Sequence, residues 1–430
     1  MSDDFLDTDE NTALEDSPQT SEFDDLIGYI DKKYTSAKSS RYNDETRWLQ
    51  SYRNYRGIYG PDVKFTDAEK SRVFIKVTKT KVLAAYSQLC DVLFSQNRFP
   101  IGIEPTTLPE GVVDTAHIDP KEPAGISEPE MPDVPLVYGF PGDGLELSGG
   151  DTADTLLAKL GPLENKLKDI ENLKEGPGET QSSVTFQPAM VAAKKMEKKI
   201  RDQLEESAAT KHLRFAAFES VLFGTGIMKG PFAFNKEYPN WNDEGDYDPT
   251  VKTIPKVEYT SIWNFYPDPD AINMEDAMYV IERHRMTRSQ VRALKKRPFF
   301  RVKAIERAVE EGESYTREWW EDDIESDSYG IDSDAGDPTT GVDRFEVIEF
   351  WGTVDTEIAK EAGIKLPKEL KKLEEIQINC WVCNDEILRL VINPFTPKRI
   401  PYCSAPYEIN PYSFFGIGLA ENMDDTQTLM

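Results

Sequence analysis

Residues Tyr259–Arg283 read YTSIWNFYPDPDAINMEDAMYVIER. An apolar and aromatic run breaks at Pro267-Asp268-Pro269-Asp270 and resumes at Met278-Tyr-Val-Ile281. Proline fixes φ and lacks an N–H, and aspartate bonds back to nearby backbone, so the tetrad predicts a tight turn. Aromatic strand, turn and charge-bearing strand together predict a hairpin-like module at the edge of a sheet.

Around this module lies a chain of 430 residues, enough for one large core or two to three domains. A hydrophobic fraction of 39% against 30% charged residues predicts that part of the chain is not packed. The formal net charge of −28 argues against a clamp that works by neutralising DNA phosphates. An acidic wall is compatible with a duplex sliding past, and at least half of the charge is accounted for by solubility of tails and linkers. Cys90, Cys380, Cys383 and Cys403 are too few for a disulfide scaffold. No apolar h-region follows the N-terminus and no run reaches the ~18 apolar residues of a membrane helix, so a soluble chain of cytosolic origin is expected.

Toward the N-terminus, residues 1–25 carry ten Asp or Glu and no Lys or Arg, which predicts a disordered acidic tail. Helical spacing runs from Phe23 to Tyr59, stopped by Gly57 and Gly60-Pro61, and a second long helix is expected from an N-cap at Thr66 through Gln96. Residues 26–103 thus form a helical part closed by a short strand at Phe99–Ile103. From Glu104 to Pro188 there are 11 prolines and 10 glycines in 85 residues, which reads as an insertion with one short helix at Thr152–Leu173. Order resumes at Ala189 with a helix of eight or nine turns ending at Gly224-Thr-Gly226. Strands are expected at Ile227–Phe234, Thr253–Phe265 and Ala277–Arg283, a capped helix at Thr287–Lys296, and another at Phe300–Trp320. These make residues 189–325 a long helix and a β-rich body. Glu321–Asp343 reads as an acidic loop, placed between domains at 326–343. Residues 344–430 carry strands at Phe345–Thr353 and Ile376–Val391, a lysine-rich helical patch at Lys368–Glu375, and a final helix from Ala420. That helix has no cap, and the expectation is that the chain is the N-terminal part of a longer product.

Few residues ask to be an active site. Cys380-Trp-Val-Cys383 has metal-like spacing, but strand residues three apart face opposite sides, so two small strand residues are the favoured reading. Gly224-Thr-Gly-Ile-Met-Lys229-Gly230 lacks the GK-[ST] of a phosphate loop and reads as a helix stop before a strand. Asp268, Asp270, Glu275 and Asp276 fail the calcium-loop pattern at its fifth and sixth positions. A nuclease reading would pair Asp268 with Glu369 and Lys371 around a metal, although such triplets arise by chance in a chain this charged. The pairs Phe299-Phe300, Trp319-Trp320 and Phe414-Phe415 read as core. No catalytic, cofactor or metal residue is assigned, and no cofactor is expected.

An ordered set of segments nevertheless resembles the portal (head-to-tail connector) proteins of tailed bacteriophages, in particular the large portals of short-tailed phages. The set comprises the helical Trp48–Gly57, Asn97–Pro105, Phe223–Gly230 with Gly224 and Gly226, and the strand containing Trp263, Phe265, Tyr266, Asp268 and Pro269, similar to the family's "fy-x-DP" element. It continues with Thr287–Gln290, Glu349–Trp351 and Asn393–Pro401. The last element is Phe414-Phe-Gly-Ile-Gly-Leu-Ala-Glu421, with Asp425 and Gln427 beyond, similar to the family's G-x-G-x-x-E helix start at Gly416, Gly418 and Glu421.

The resemblance implies an α+β, portal-like fold: long helices packed with a mixed or antiparallel wing sheet, beside the acidic tail and the insertion. It implies a homo-oligomeric ring of about 12 copies at one capsid vertex, through which double-stranded DNA passes without sequence specificity. It further implies contacts with a large terminase, scaffolding and major capsid proteins and tail adaptors, assembly in the host cytoplasm, a place in the virion and no membrane. The stem and clip are expected mainly after the G-x-G-x-x-E helix, so a complete channel is not expected within these residues. An acidic assembly or scaffolding factor is the alternative from another class, with the metal-dependent nuclease behind it.

Overall fold

The computed structural model describes residues 24–61, 63, 73–94, 101–105, 116–118, 184–186, 188–242, 246–329, 343–364, 366–367, 370–395 and 399–429. The chain divides into two compact units, residues 102–197 and the remainder. In the smaller unit β1 (Ala116–Ile118) pairs antiparallel with β2 (Val184–Phe186), a pairing that the Pro/Gly composition gave no reason to expect. The helix expected at Thr152–Leu173 lies outside the described residues, as do residues 1–23.

In the larger unit α1 (Asp24–Arg56) is one 33-residue helix, about 50 Å long, starting two residues inside the stretch read as tail. Its first half buries Leu26, Ile27, Ile30 and Ala37 in one apolar cluster, and its second half buries Trp48 and Leu49 in another. Helix α2 (Val77–Phe94) starts later than expected. Val73, Phe74 and Ile75 ahead of it are irregular, and β-branched and aromatic residues in a row disfavour a helical start. Thr66 lies outside the described residues. Ile101, Gly102 and Ile103 form no strand.

The single helix expected after Ala189 is two, α3 (Pro188–Glu206) and α4 (Ala209–Phe223). Ser207 turns its hydroxyl back to the Leu204 carbonyl, and Ala208 takes a left-handed φ of 55°, breaking the ladder. Strands β3 (Thr225–Tyr238) and β4 (Thr250–Thr260) follow. The strand expected over Thr253–Phe265 ends at Thr260, turns through a short 3₁₀ segment and resumes as β5 (Phe265–Pro267), which pairs with β6 (Tyr279–Thr287). The PDPD turn therefore closes a hairpin on the edge strand of a five-stranded sheet, as its sequence indicates.

Helix α5 (Arg288–Ala293) opens on a Thr287/Gln290 capping box. Beyond it the helix expected at Phe300–Trp320 is cut by Gly312 into α6 (Val302–Glu311) and α7 (Trp319–Tyr329). Helix α7 occupies the start of the stretch read as an acidic loop because its carboxylates are paired: Asp323 and Asp327 with Arg53, Asp322 and Glu325 with Arg317. Strand β7 (Arg344–Asp355) and helix α8 (Thr356–Glu361) come next. The strand expected over Ile376–Val391 is a hairpin, β8 (Glu375–Cys383) and β9 (Glu386–Ile392), joined at Asn384-Asp385. Both turn residues have positive φ, as a two-residue hairpin turn demands. An unexpected β10 (Tyr402–Pro406) pairs with β3, and the final helix is broken at Met423 into α9 (Leu419–Asn422) and α10 (Asp424–Leu429).

Both sheets of this unit are antiparallel, β10-β3-β4 and β5-β6-β7-β8-β9. Register places Phe265, Glu282, Glu349, Trp381 and Arg389 in one row across the larger sheet, on one face. The opposite face, with Tyr266, Ile281, Phe350 and Cys380, packs under the start of α1. No helix among the described residues is long and apolar enough to cross a membrane.

Candidate functional site

Two glycine motifs far apart in the chain form one crossing. Gly224 ends α4 at φ 101°, and a Cβ there would lie 2.3 Å from the Gly416 carbonyl oxygen and 2.8 Å from the Gly418 nitrogen. A Cβ on Gly418 would meet the Leu222 carbonyl oxygen at 2.5 Å, and one on Gly226 the Ala216 carbonyl oxygen at 2.1 Å. Backbone thus lies on backbone, which only glycine permits. The Tyr407 N–H donates to the Gly224 carbonyl (2.8 Å) and the Gly416 N–H to the Thr225 hydroxyl (2.9 Å). Phe415 seats its ring edge-on to Trp48 at 4.8 Å, and Trp48 meets Trp263 at 5.4 Å. Of the aromatic pairs read as core, Phe414 and Phe415 are buried, Trp320 is buried, and Phe299 is the exception at 73% exposure.

Beyond the crossing the terminal helices are gripped by the first two. Glu421 accepts two hydrogen bonds from Arg47 (2.8 and 2.9 Å). The Gln427 side chain accepts from the Thr78 N–H and hydroxyl and donates to the Ile75 carbonyl at 2.7 Å, capping α2 from more than three hundred residues away. Gln427→Ala should cost about 1–2 kcal/mol, the worth of a cap plus one buried hydrogen bond. Amide exchange in the first turn of α2 should accelerate while α4 stays protected.

The PDPD element is structural. Asp268 is buried, its carboxylate accepts from the Asp270 and Met278 N–H groups, and its own N–H donates to Tyr279. The fully buried Arg41 guanidinium donates to the Phe265 and Trp263 carbonyls and to Glu45, and lies 3.9 Å from the Tyr266 ring centre. Asp268 is therefore committed to its turn, and Glu369 of the nuclease reading lies outside the described residues.

At the corner between β4 and β5 the buried Glu219 accepts from the Ser261 hydroxyl (2.8 Å) and the Ile262 N–H (2.9 Å), pulling the chain out of one sheet and into the other. Burial pushes its pKa up to about 7. A carboxyl raised in the folded state holds its proton longer than in the unfolded chain, so its stabilisation is lost as pH rises from about 4.5 toward 7. Glu219→Gln, which mimics the protonated acid, should remove a pH-dependent loss on the order of 3 kcal/mol between pH 5 and 8. Chemical denaturation at the two pH values measures it.

A dense polar cluster joins the two sheets. Lys229 Nζ on β3 lies 2.7 Å from Glu282 on β6 and 2.5 Å from Glu349 on β7. His284 Nε2 is 2.8 Å from Glu349, Tyr402 donates to Glu282 at 2.6 Å, and the Trp351 indole donates to Glu349 at 2.6 Å. Burial opposes charge on all three ions, yet the carboxylates hold the Lys229 pKa above its ordinary value, and Lys229 holds Glu349 and Glu282 below theirs. Glu282, His284 and Glu349 bring three ligand atoms within 4.8 Å of one another, a metal-like group the sequence reading missed. The Lys229 ammonium already serves as its cation. Cys380 and Cys383 fall into different apolar clusters on opposite faces, as strand alternation requires, and burial pushes both thiols up to about 12. The sequence alone gives Lys229 and Glu349 only as parts of separate segments and does not join them to Glu282, nor does it single out Glu219 or Arg41; the available signal was a charged residue inside an otherwise apolar strand, as in Val280-Ile-Glu282 and Ile348-Glu-Phe-Trp351.

No curated protein matches the chain. A family model described as the Phage SU10 portal protein matches residues 178–430, taking in the PDPD hairpin, both glycine motifs and the charge cluster, and leaving α1 and α2 outside. On that match the chain belongs to the phage SU10 portal protein family.

Proposed function

We propose that the chain is a portal subunit that assembles into a closed ring at one capsid vertex, through which double-stranded DNA enters and leaves. The family match over residues 178–430 carries this reading. In support, the larger unit combines a helix of about 50 Å with two antiparallel sheets, surface enough for the side-by-side contacts of a heterologous ring. The net charge of −28 suits a conduit that must not hold the duplex it passes. Energy comes from a separate motor, a large terminase, while scaffolding, major capsid and tail adaptor proteins contact the ring. The subunit itself performs no enzymatic step. Infection without this chain should yield heads devoid of DNA, and supplying it in trans should restore filling. DNA-filled heads in its absence would sink the reading.

A further inference from the structure

Twenty residues from His284 to Lys303 hold eight Lys or Arg and no carboxylate, in a chain whose net charge is −28. The structure folds this segment against the last strand of the larger sheet: Phe300 bridges to Arg389, and the Arg301 N–H donates to the Leu388 carbonyl. Arg389 stands directly opposite Trp381 on the neighbouring strand, so the two side chains share a face. Trp381 is 6% exposed, and neither its indole Nε1 nor Arg389 Nε, both buried atoms, finds a hydrogen-bond acceptor among the described residues. A buried donor without an acceptor is costly, and an anion reaching it would relieve that cost. Burial presses the Arg389 pKa down; Glu349 opposes this and nearby Arg297 adds to it, so two guanidinium groups crowd one place. Arg297 also lines a cleft of about 560 Å³ with Glu282, His284, Arg285 and Gln290. Two residues after Arg297, Phe299 is 73% exposed at a positive φ of 66°, a strained and solvated aromatic.

Recessed donors flanked by an exposed aromatic suit a peptide carrying carboxylates and an apolar anchor better than a duplex, whose outer surface is phosphate and sugar with no apolar anchor. One such peptide is in the chain itself: Asp3-Asp-Phe-Leu-Asp7, within a tail that has no Lys or Arg. Eighteen residues lie between Phe5 and the start of α1, a reach of roughly 60 Å when extended. We propose that Arg297, Arg389 and the Trp381 indole, with Phe299, form a docking site for the acidic segment Asp3–Asp7 of this protein.

The test uses the full chain with Phe5 replaced by the photo-crosslinker p-benzoylphenylalanine. Irradiation should join position 5 to the peptides containing Phe299 and Arg389. Arg297→Glu with Arg389→Gln should cut that yield at least fivefold, whereas Lys371→Glu with Lys372→Glu, at exposed positions, should leave it unchanged. Arg297→Glu alone, at an exposed position, should already reduce it, and an unchanged melting curve separates lost docking from lost folding. Mixing light and heavy isotope-labelled copies tells docking within one chain from docking between chains. Crosslinks elsewhere, a yield indifferent to both arginines, or crosslinks abolished by duplex DNA at low excess would overturn the proposal.

Discussion

Gly224→Ala should destabilise the larger unit by on the order of 3–5 kcal/mol, and most of that should come from contact and not from backbone conformation. Three glycines separate the two causes. Gly363 has φ +79° with nothing within 4 Å of where a Cβ would sit, so its alanine variant meets strain alone, about 1 kcal/mol. Gly226 carries no positive φ but would place its Cβ 2.1 Å from the Ala216 carbonyl oxygen, so its alanine variant meets contact alone. Gly224 combines φ +101° with a 2.3 Å approach to the Gly416 oxygen. Urea midpoints should therefore rank Gly363→Ala mildest, Gly226→Ala intermediate or severe, and Gly224→Ala most severe. Equal losses at Gly224 and Gly363 would mean that the two motifs do not cross as described.

Lys229→Met should cost about 3–5 kcal/mol at neutral pH, because it leaves two buried carboxylates without their cation. The pH dependence distinguishes this from simple loss of packing. In the native protein Glu349 titrates below its ordinary range, so its stabilisation is present above the unfolded pKa and is lost as pH falls below about 4.5. Lys229 titrates above its ordinary range, so its contribution is complete below about 10 and is lost only in stronger alkali. In the methionine variant the carboxylates lose the partner that depressed them, burial dominates, and they take up protons on acidification. The deficit relative to the native protein should shrink from pH 8 to pH 5. Adding Glu349→Gln should restore part of the loss at pH 8, since it removes one stranded charge. A deficit that is the same at every pH would show that the ion cluster is only a packing feature.

The sequence was most legible where local chemistry and tertiary structure agree. The PDPD hairpin, the Thr287 capping box and the Gly224 helix stop depend on residues within a few positions of one another, and all are present. The divergence of Cys380 and Cys383 follows from strand alternation alone. Errors came where distant residues decide. Helix α7 carries acids that look like a solvated loop until Arg53, far earlier in the chain, is brought beside them. The break between β4 and β5 depends on Glu219, some forty residues earlier. The start of α2 is set with help from Gln427, whose capping amide no local pattern reveals. Of the residues singled out as family motifs, Gly224, Gly416 and Gly418 form one crossing, Gly226 packs on Ala216 of α4, and Trp263 joins the crossing through Trp48 and Phe415. The buried ions do not show in the sequence because Glu282 and Glu349 meet only in register and Lys229 reaches them from a strand of the other sheet.

The native mass of the purified chain, taken with electron images of the same sample, tests the proposed ring most directly. A closed ring of about 12 copies around a central hole is the expected result. A monodisperse, folded monomer that stays monomeric as its concentration is raised would contradict it.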